Sequence, residues 1–102
     1  MLRIDIRTEP TAVTLQLEGE LTGVWVCELF DAWRTALPTL NGRALRIDLT
    51  DVVRVDKAGE YLLAPMRCNG ARLTGAGGAM RDLIRTIARN WPIISQKFHQ
   101  EA

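Results

Sequence analysis

The chain is poor in the residues that most catalysis requires. It has a single histidine, His99, close to the C-terminal end. No Ser/His/Asp or Cys/His set can be assembled without that residue, so hydrolytic and nucleophilic chemistry has little raw material. The two cysteines, Cys27 and Cys68, lie far apart in no metal-type spacing. Both fall in apolar stretches of helical character and are expected to be reduced packing residues. No stretch approaches the roughly 20 apolar residues of a membrane span. The opening Met1-Leu2-Arg3-Ile4-Asp5 has no apolar run of signal-peptide length, which makes a soluble, cytoplasmic protein the expectation. Neither charge dominates, with 13 basic against 12 acidic residues. The basic footprint of a nucleic-acid binder is missing from the chain as a whole, and no acidic solvating tail is present.

What is present is one domain's worth of patterned sequence. The 102 residues are 47% hydrophobic, enough for a core without metal or disulfide staples. Leu2, Ile4 and Ile6 alternate with Arg3, Asp5 and Arg7 as in a half-buried strand, ended by Glu9-Pro10. Val13, Leu15 and Leu17 repeat the pattern, with Thr14, Gln16 and Glu18 expected to face out. The short Pro10-Thr11 link makes these two strands an antiparallel hairpin. The period then changes. Val26, Leu29, Phe30, Trp33 and Leu37 form one apolar helix face, started by Thr22-Gly23 and stopped by Pro38. Ala44 to Leu49 reads as a third strand, and Val52, Val53 and Val55 as a link into a second helix from about Ala58 to Cys68. Pro65 inside that helix is expected to shorten or kink it, and Asn69-Gly70 ends it. Ala71 to Thr74 is a short fourth strand. After Gly75-Ala76-Gly77-Gly78 a last helix carries Met80, Leu83, Ile84, Ile87, Ala88 and Trp91 on one stripe. The order β-β-α-β-α-β-α predicts an α/β fold with a four-stranded mixed sheet and crossover helices. The domain is expected over residues 1–92, with 93–102 a tail that Phe98 helps to order.

This order, with four short motifs, resembles the STAS family of anti-sigma-factor antagonists and their relatives. Gly19-Glu20-Leu21 stands where the family has Gly-Glu-Leu-Asp. Arg46 to Val52 is similar to the family's strand, "Asp-Leu-Ser" and valine link. Val55-Asp56-Lys57-Ala58-Gly59 looks like its Asp-Ser-Ser-Gly or Asp-Thr-Ala-Gly loop, and Gly70-Ala71-Arg72-Leu73 like its fourth strand. The match spans about residues 12 to 90, and it is the order and spacing of the motifs that carries it. The resemblance implies a STAS-like domain that binds proteins and is not an enzyme. In the family, the residue after the aspartate is a Ser or Thr at the start of the second helix, and its phosphorylation by a partner kinase abolishes binding. Phosphate adds nearly two negative charges to a fitted interface.

Here that position is Lys57, followed by Ala58, and neither carries a hydroxyl. Lys57 also sets a positive charge at the positive end of a helix dipole, a cost of a few tenths of a kcal/mol or so. Asp56 can cap the helix and Glu60 can pair with Lys57, offsetting it. Glu60 itself departs from the family's Leu, and Thr22 replaces the aspartate that follows Gly-Glu-Leu. The resemblance implies partner binding at Thr22, Gly23, Asp56, Lys57, Ala58, Gly59 and Glu60, without the phospho-switch. The implied partner is an anti-sigma factor or related kinase-like protein. The alternative is a STAS subunit that braces the ATPase of an ABC-type lipid transporter, whose loop Val52 to Gly59 resembles about as well.

Other features are weighed against structural roles. Asp48, Asp51 and Asp56 suit turn and cap chemistry better than a metal pocket. Gly75 to Gly78 lacks the Lys-Ser/Thr of a phosphate loop; small-ligand binding there is a third, weaker reading. Arg81, Arg85 and Arg89 form a basic ridge, read as a solvated face. Trp25 lies off the main helix stripe, an interface anchor if exposed and otherwise covered by the Gly75 loop or the tail. Tyr61 and Glu60 are too thin for acid-base catalysis. No metal, cofactor, nucleic acid or membrane insertion is expected, and the sequence says nothing of oligomeric state.

Overall fold

The computed structural model describes residues 1–92; the expected tail, with Phe98 and His99, lies outside the described residues. The opening hairpin pairs β1 (Leu2–Thr8) with β2 (Ala12–Leu21) in antiparallel register, Ile4 opposite Leu17 and Ile6 opposite Leu15. The helix α1 (Trp25–Ala36), a 3-10 turn at Leu37–Thr39 that contains Pro38, and the strand β3 (Ala44–Val55) follow. Then come α2 (Lys57–Cys68), β4 (Arg72–Thr74) and α3 (Gly78–Asn90). The sheet order is β1-β2-β3-β4, with β2–β3 and β3–β4 parallel. Strand order advances in one direction after β2, so two right-handed crossovers place α1 and α2 on the same face. On that face Leu15, Leu17, Ile47 and Leu49 are fully buried against Leu29 of α1, Leu63 and Met66 of α2 and Ile87 of α3.

Four expectations are corrected. The strand β3 does not stop at Leu49 but continues to Val55 and absorbs the valine link. Its 12 residues run beside the 10 of β2 because the register slips twice, between Gln16 and Glu18 and between Gly19 and Glu20. Each slip adds one residue to β3, a bulge of the kind that interrupts alternation and hides a strand from a period-two reading. At the second slip Gly19 takes φ +107°, and a Cβ there would overlap the Met1 carbonyl oxygen. Only glycine satisfies both conditions at once. Second, Pro65 sits inside α2, which runs unbroken from Lys57 to Cys68. The proline ring is exposed, and Asn69 closes the helix end, its Nδ2 donating to the Pro65 carbonyl at 2.7 Å.

Third, Ile6, Phe30 and Leu37 were expected in the core and are 53%, 41% and 40% exposed. The strand β1 is the edge of the sheet, and its far half, from Asp5 to Thr8, is exposed. Thr14, expected to face out, is only 7% exposed, because on the central strand β2 it lies between Arg7 and Arg46 of its neighbours. Fourth, Cys27 and Cys68 are free thiols but exposed, so they are not packing residues. Trp25 is half buried against the core cluster.

Candidate functional site

At the carboxyl ends of β2 and β3 the chain builds one compact corner. Val55 pairs with Leu21 in the parallel ladder, which sets the two strand ends side by side. The Asp56 N–H then donates to the Leu21 carbonyl at 3.3 Å. Asp56 has extended backbone, φ −88° and ψ −177°, the geometry of a helix N-cap. Its Oδ1 accepts from the Gly59 N–H at 2.8 Å, satisfying one donor that the first helical turn leaves free. Its Oδ2 accepts from the Gly23 N–H at 2.9 Å, on the loop between β2 and α1. These two bonds, Gly23 first and Gly59 second, hold the Asp56 carboxyl below the usual carboxylate range.

Gly59 is buried for a steric reason. A Cβ there would lie 2.7 Å from the Leu21 carbonyl oxygen and 2.7 Å from Val55 Cγ1. The glycine lets the first turn of α2 close onto the end of β2. Lys57 Nζ lies 3.6 Å from Glu60 Oε2, with the Lys57 side chain exposed and the Glu60 side chain largely covered. The pair places an acid in the first turn, which the helix dipole favours, and offsets the cation at Lys57.

The structure therefore brings together Thr22, Gly23, Asp56, Lys57, Ala58, Gly59 and Glu60, and divides them. Gly23, Lys57 and Ala58 are exposed, Thr22 and Asp56 half buried, and Gly59 and Glu60 buried. The last two, with Asp56, build the corner, and the first three form its outer surface. Three residues that the sequence reading did not assign to the site add apolar area nearby in the fold. Val24, next to Gly23, is 76% exposed; Val53, at the second bulge of β3, is 75% exposed; and Tyr61, next to Glu60, is 60% exposed. The Tyr61 ring meets Trp91 edge to face at 5.9 Å. The signal for Val53 was the bulge, which only the paired register reveals.

The remaining motifs resolve into structural roles or separate places. Asp48 Oδ1 accepts from the Thr50 N–H at 2.9 Å, a turn contact. Among the described residues no group of three or more His, Cys, Asp or Glu side chains is arranged to hold a metal ion. Gly75 and Ala76 line an open trough of about 460 Å³ on the polar sheet face, away from the corner, together with Arg7, Thr14, Arg46 and Asp48. Gly77, at φ +92°, precedes α3, and a Cβ on Gly75 would press on Met80. Arg81, Arg85 and Arg89 are exposed along α3, with Arg85 3.8 Å from Asp82. No helix of the described residues is long and apolar enough to cross a membrane.

The fold built in this way is a STAS-like α/β fold, and solved structures share it. An anti-sigma factor antagonist from Mycobacterium paratuberculosis superposes with a TM-score of 0.76 at 20% identity, over 90% of this chain and 84% of that one. The anti-sigma factor antagonist SpoIIAA in its unphosphorylated form gives a TM-score of 0.60 at 20% identity, over 81% and 82% of the two chains. An uncharacterised protein from Shewanella loihica with a SpoIIAA-like fold gives 0.57 at 14% identity, over 89% and 80%. No protein-family model matches the chain, and no curated protein matches it. At these identities the shared property is the fold.

Proposed function

We propose that this protein is a non-catalytic protein-interaction module of the anti-sigma-factor-antagonist kind, and that it docks its partner constitutively through the outer surface of the Asp56 corner. The observation that carries this reading is the pair of hydrogen bonds from Asp56 to Gly23 and Gly59. They fasten the loop after β2 to the start of α2, so two surface segments form one preorganised patch. A patch fixed before binding loses little conformational freedom on association. Exposed Val24 and Val53 supply apolar contact area, and Lys57 supplies a charge that selects among partners. The absence of a hydroxyl from Asp56 to Glu60 leaves nothing in that segment for a kinase to modify.

The test is affinity capture with wild type, Lys57→Glu and Arg81→Glu, followed by mass spectrometry. Lys57→Glu is expected to lose a protein that wild type and the α3 control both retain. An identical set of bound proteins for all three would remove the corner from the interface. The identity of the captured protein separates the two partner classes, an anti-sigma factor or kinase-like protein against a transporter ATPase.

A further inference from the structure

The strand β1 is the outer edge of the sheet, with β2 as its one neighbour. It is seven residues long, contains no proline, and pairs without a register slip. The other edge, β4, has three residues. Long regular edges offer unpaired backbone groups to another strand. Which groups β1 offers follows from its hydrogen bonds. The Glu20 N–H donates to the Met1 carbonyl at 2.9 Å, and the Glu9 N–H to the Ala12 carbonyl at 2.8 Å. In an antiparallel ladder the hydrogen-bonded pairs alternate, so the odd-numbered residues of β1 bond to β2. The N–H and C=O of Leu2, Ile4, Ile6 and Thr8 therefore point outward.

The side chains of the edge are self-complementary in one register. If two copies pair antiparallel about Ile6, each Asp5 faces Arg7 of the second copy and each Arg3 faces Glu9. Centring on Asp5 would set Arg3 against Arg7 and Asp5 against itself, opposing like charges on adjacent strands. Centring on Ile4 would set Arg3 against Asp5, but Arg3 already lies 3.6 Å from Asp5 and 3.9 Å from Glu18 of its own chain. It would set Ile6 against Leu2 of the second copy, but it would leave Arg7 opposite Met1, with no acid across from it. The Ile6 register covers the residue that is 53% exposed and gives partners to Arg7, which makes no ion pair among the described residues.

The two-fold axis of an antiparallel strand pair stands perpendicular to the sheet, so the helix layers of both copies come to the same face and do not obstruct the pairing. We infer that the protein forms a two-fold homodimer in which β1 pairs with β1 of a second copy, Ile6 opposite Ile6, making one eight-stranded sheet. The Asp56 corner is built on β2, β3 and α2, so it stays free in each copy.

Sedimentation velocity from about 1 to about 500 μM, in the range of weak to moderate association, tests this. Wild type is expected to show a concentration-dependent dimer. Ile6→Lys is expected to remain monomeric with an unchanged circular dichroism spectrum. Arg7→Asp alters an exposed side chain and opposes Asp5, so it is expected to weaken the dimer at least about tenfold. The exchanged variant Asp5→Arg with Arg7→Asp restores opposite charges in the Ile6 register alone, and is expected to recover most of the lost affinity. A monomeric wild type across the range, a dimer as tight in Arg7→Asp as in wild type, or no recovery in the exchanged variant would each overturn the inference. The two charge variants decide the matter even where Ile6→Lys fails to fold.

Discussion

Asp56 shows how much one side chain can organise. Its two oxygens are spent on different segments, one on the helix it caps and one on the loop that faces that helix. Because these N–H donors favour the ionised carboxyl, its pKa in the folded protein lies below the ordinary aspartate value of 3.8. A group with a depressed folded pKa contributes stability above its unfolded pKa, and loses it as pH falls through the folded value. The melting temperature of Asp56→Ala is therefore expected to lie below that of wild type at neutral pH. The gap should narrow as pH is lowered from 3.8 through the depressed value. A gap that stays constant under acid titration followed by circular dichroism would mean that Asp56 acts there without its charge. Gly59 and Glu60 belong with it: the glycine admits the helix and the acid holds Lys57.

At the scale of elements, α2 carries an unusual residue without breaking. Pro65 cannot donate to the Tyr61 carbonyl, and a proline in a helix interior is about 3 kcal/mol less favourable than alanine. The proline also restricts the unfolded chain, which returns up to about 1 kcal/mol. Pro65→Ala is expected to stabilise the protein by about 1–2 kcal/mol, read as a higher urea midpoint with an unchanged m value. A lowered midpoint would mean that the exposed ring packs against something the helix geometry does not show. The bulges of β3 work in the opposite sense. They were invisible as periodicity, yet they carry the strand on to Val55 and expose Val53 beside the corner.

For the molecule as a whole, the helix layer is tied unevenly to the sheet. The central strands bury Val13, Leu15, Leu17, Leu45, Ile47 and Leu49, whereas α3 fully buries only Ile87 and stands next to a strand of three residues. Regions with few buried apolar groups open at lower free energy than the global transition. Amide hydrogen exchange is expected to be slowest in β2 and β3, and α3 and β4 should exchange faster through a local opening. Equal protection in α3 and β3 would mean that the fold opens only as one unit. The corner spans the slow region, since its hydrogen bonds join β2 to α2, and that rigidity is what a preformed docking patch requires.

The sequence by itself determined the order of elements, the strand alternation of β1 and β2, the core stripe of α1 around Leu29 and Trp33, the N-cap at Asp56 and the Lys57–Glu60 pair. These follow from neighbours within one turn or one strand, where spacing dictates geometry. Only the tertiary structure decided what depends on contacts between distant segments. The Asp56–Gly23 bond spans 33 residues, and the exclusion of a Cβ at Gly59 depends on the Leu21 carbonyl. Ile6, Phe30 and Leu37 follow the core pattern and yet are 53%, 41% and 40% exposed, because burial depends on which distant segments pack over a residue and periodicity does not report that. At the sheet edge Arg7 of β1 makes no ion pair among the described residues of its own chain.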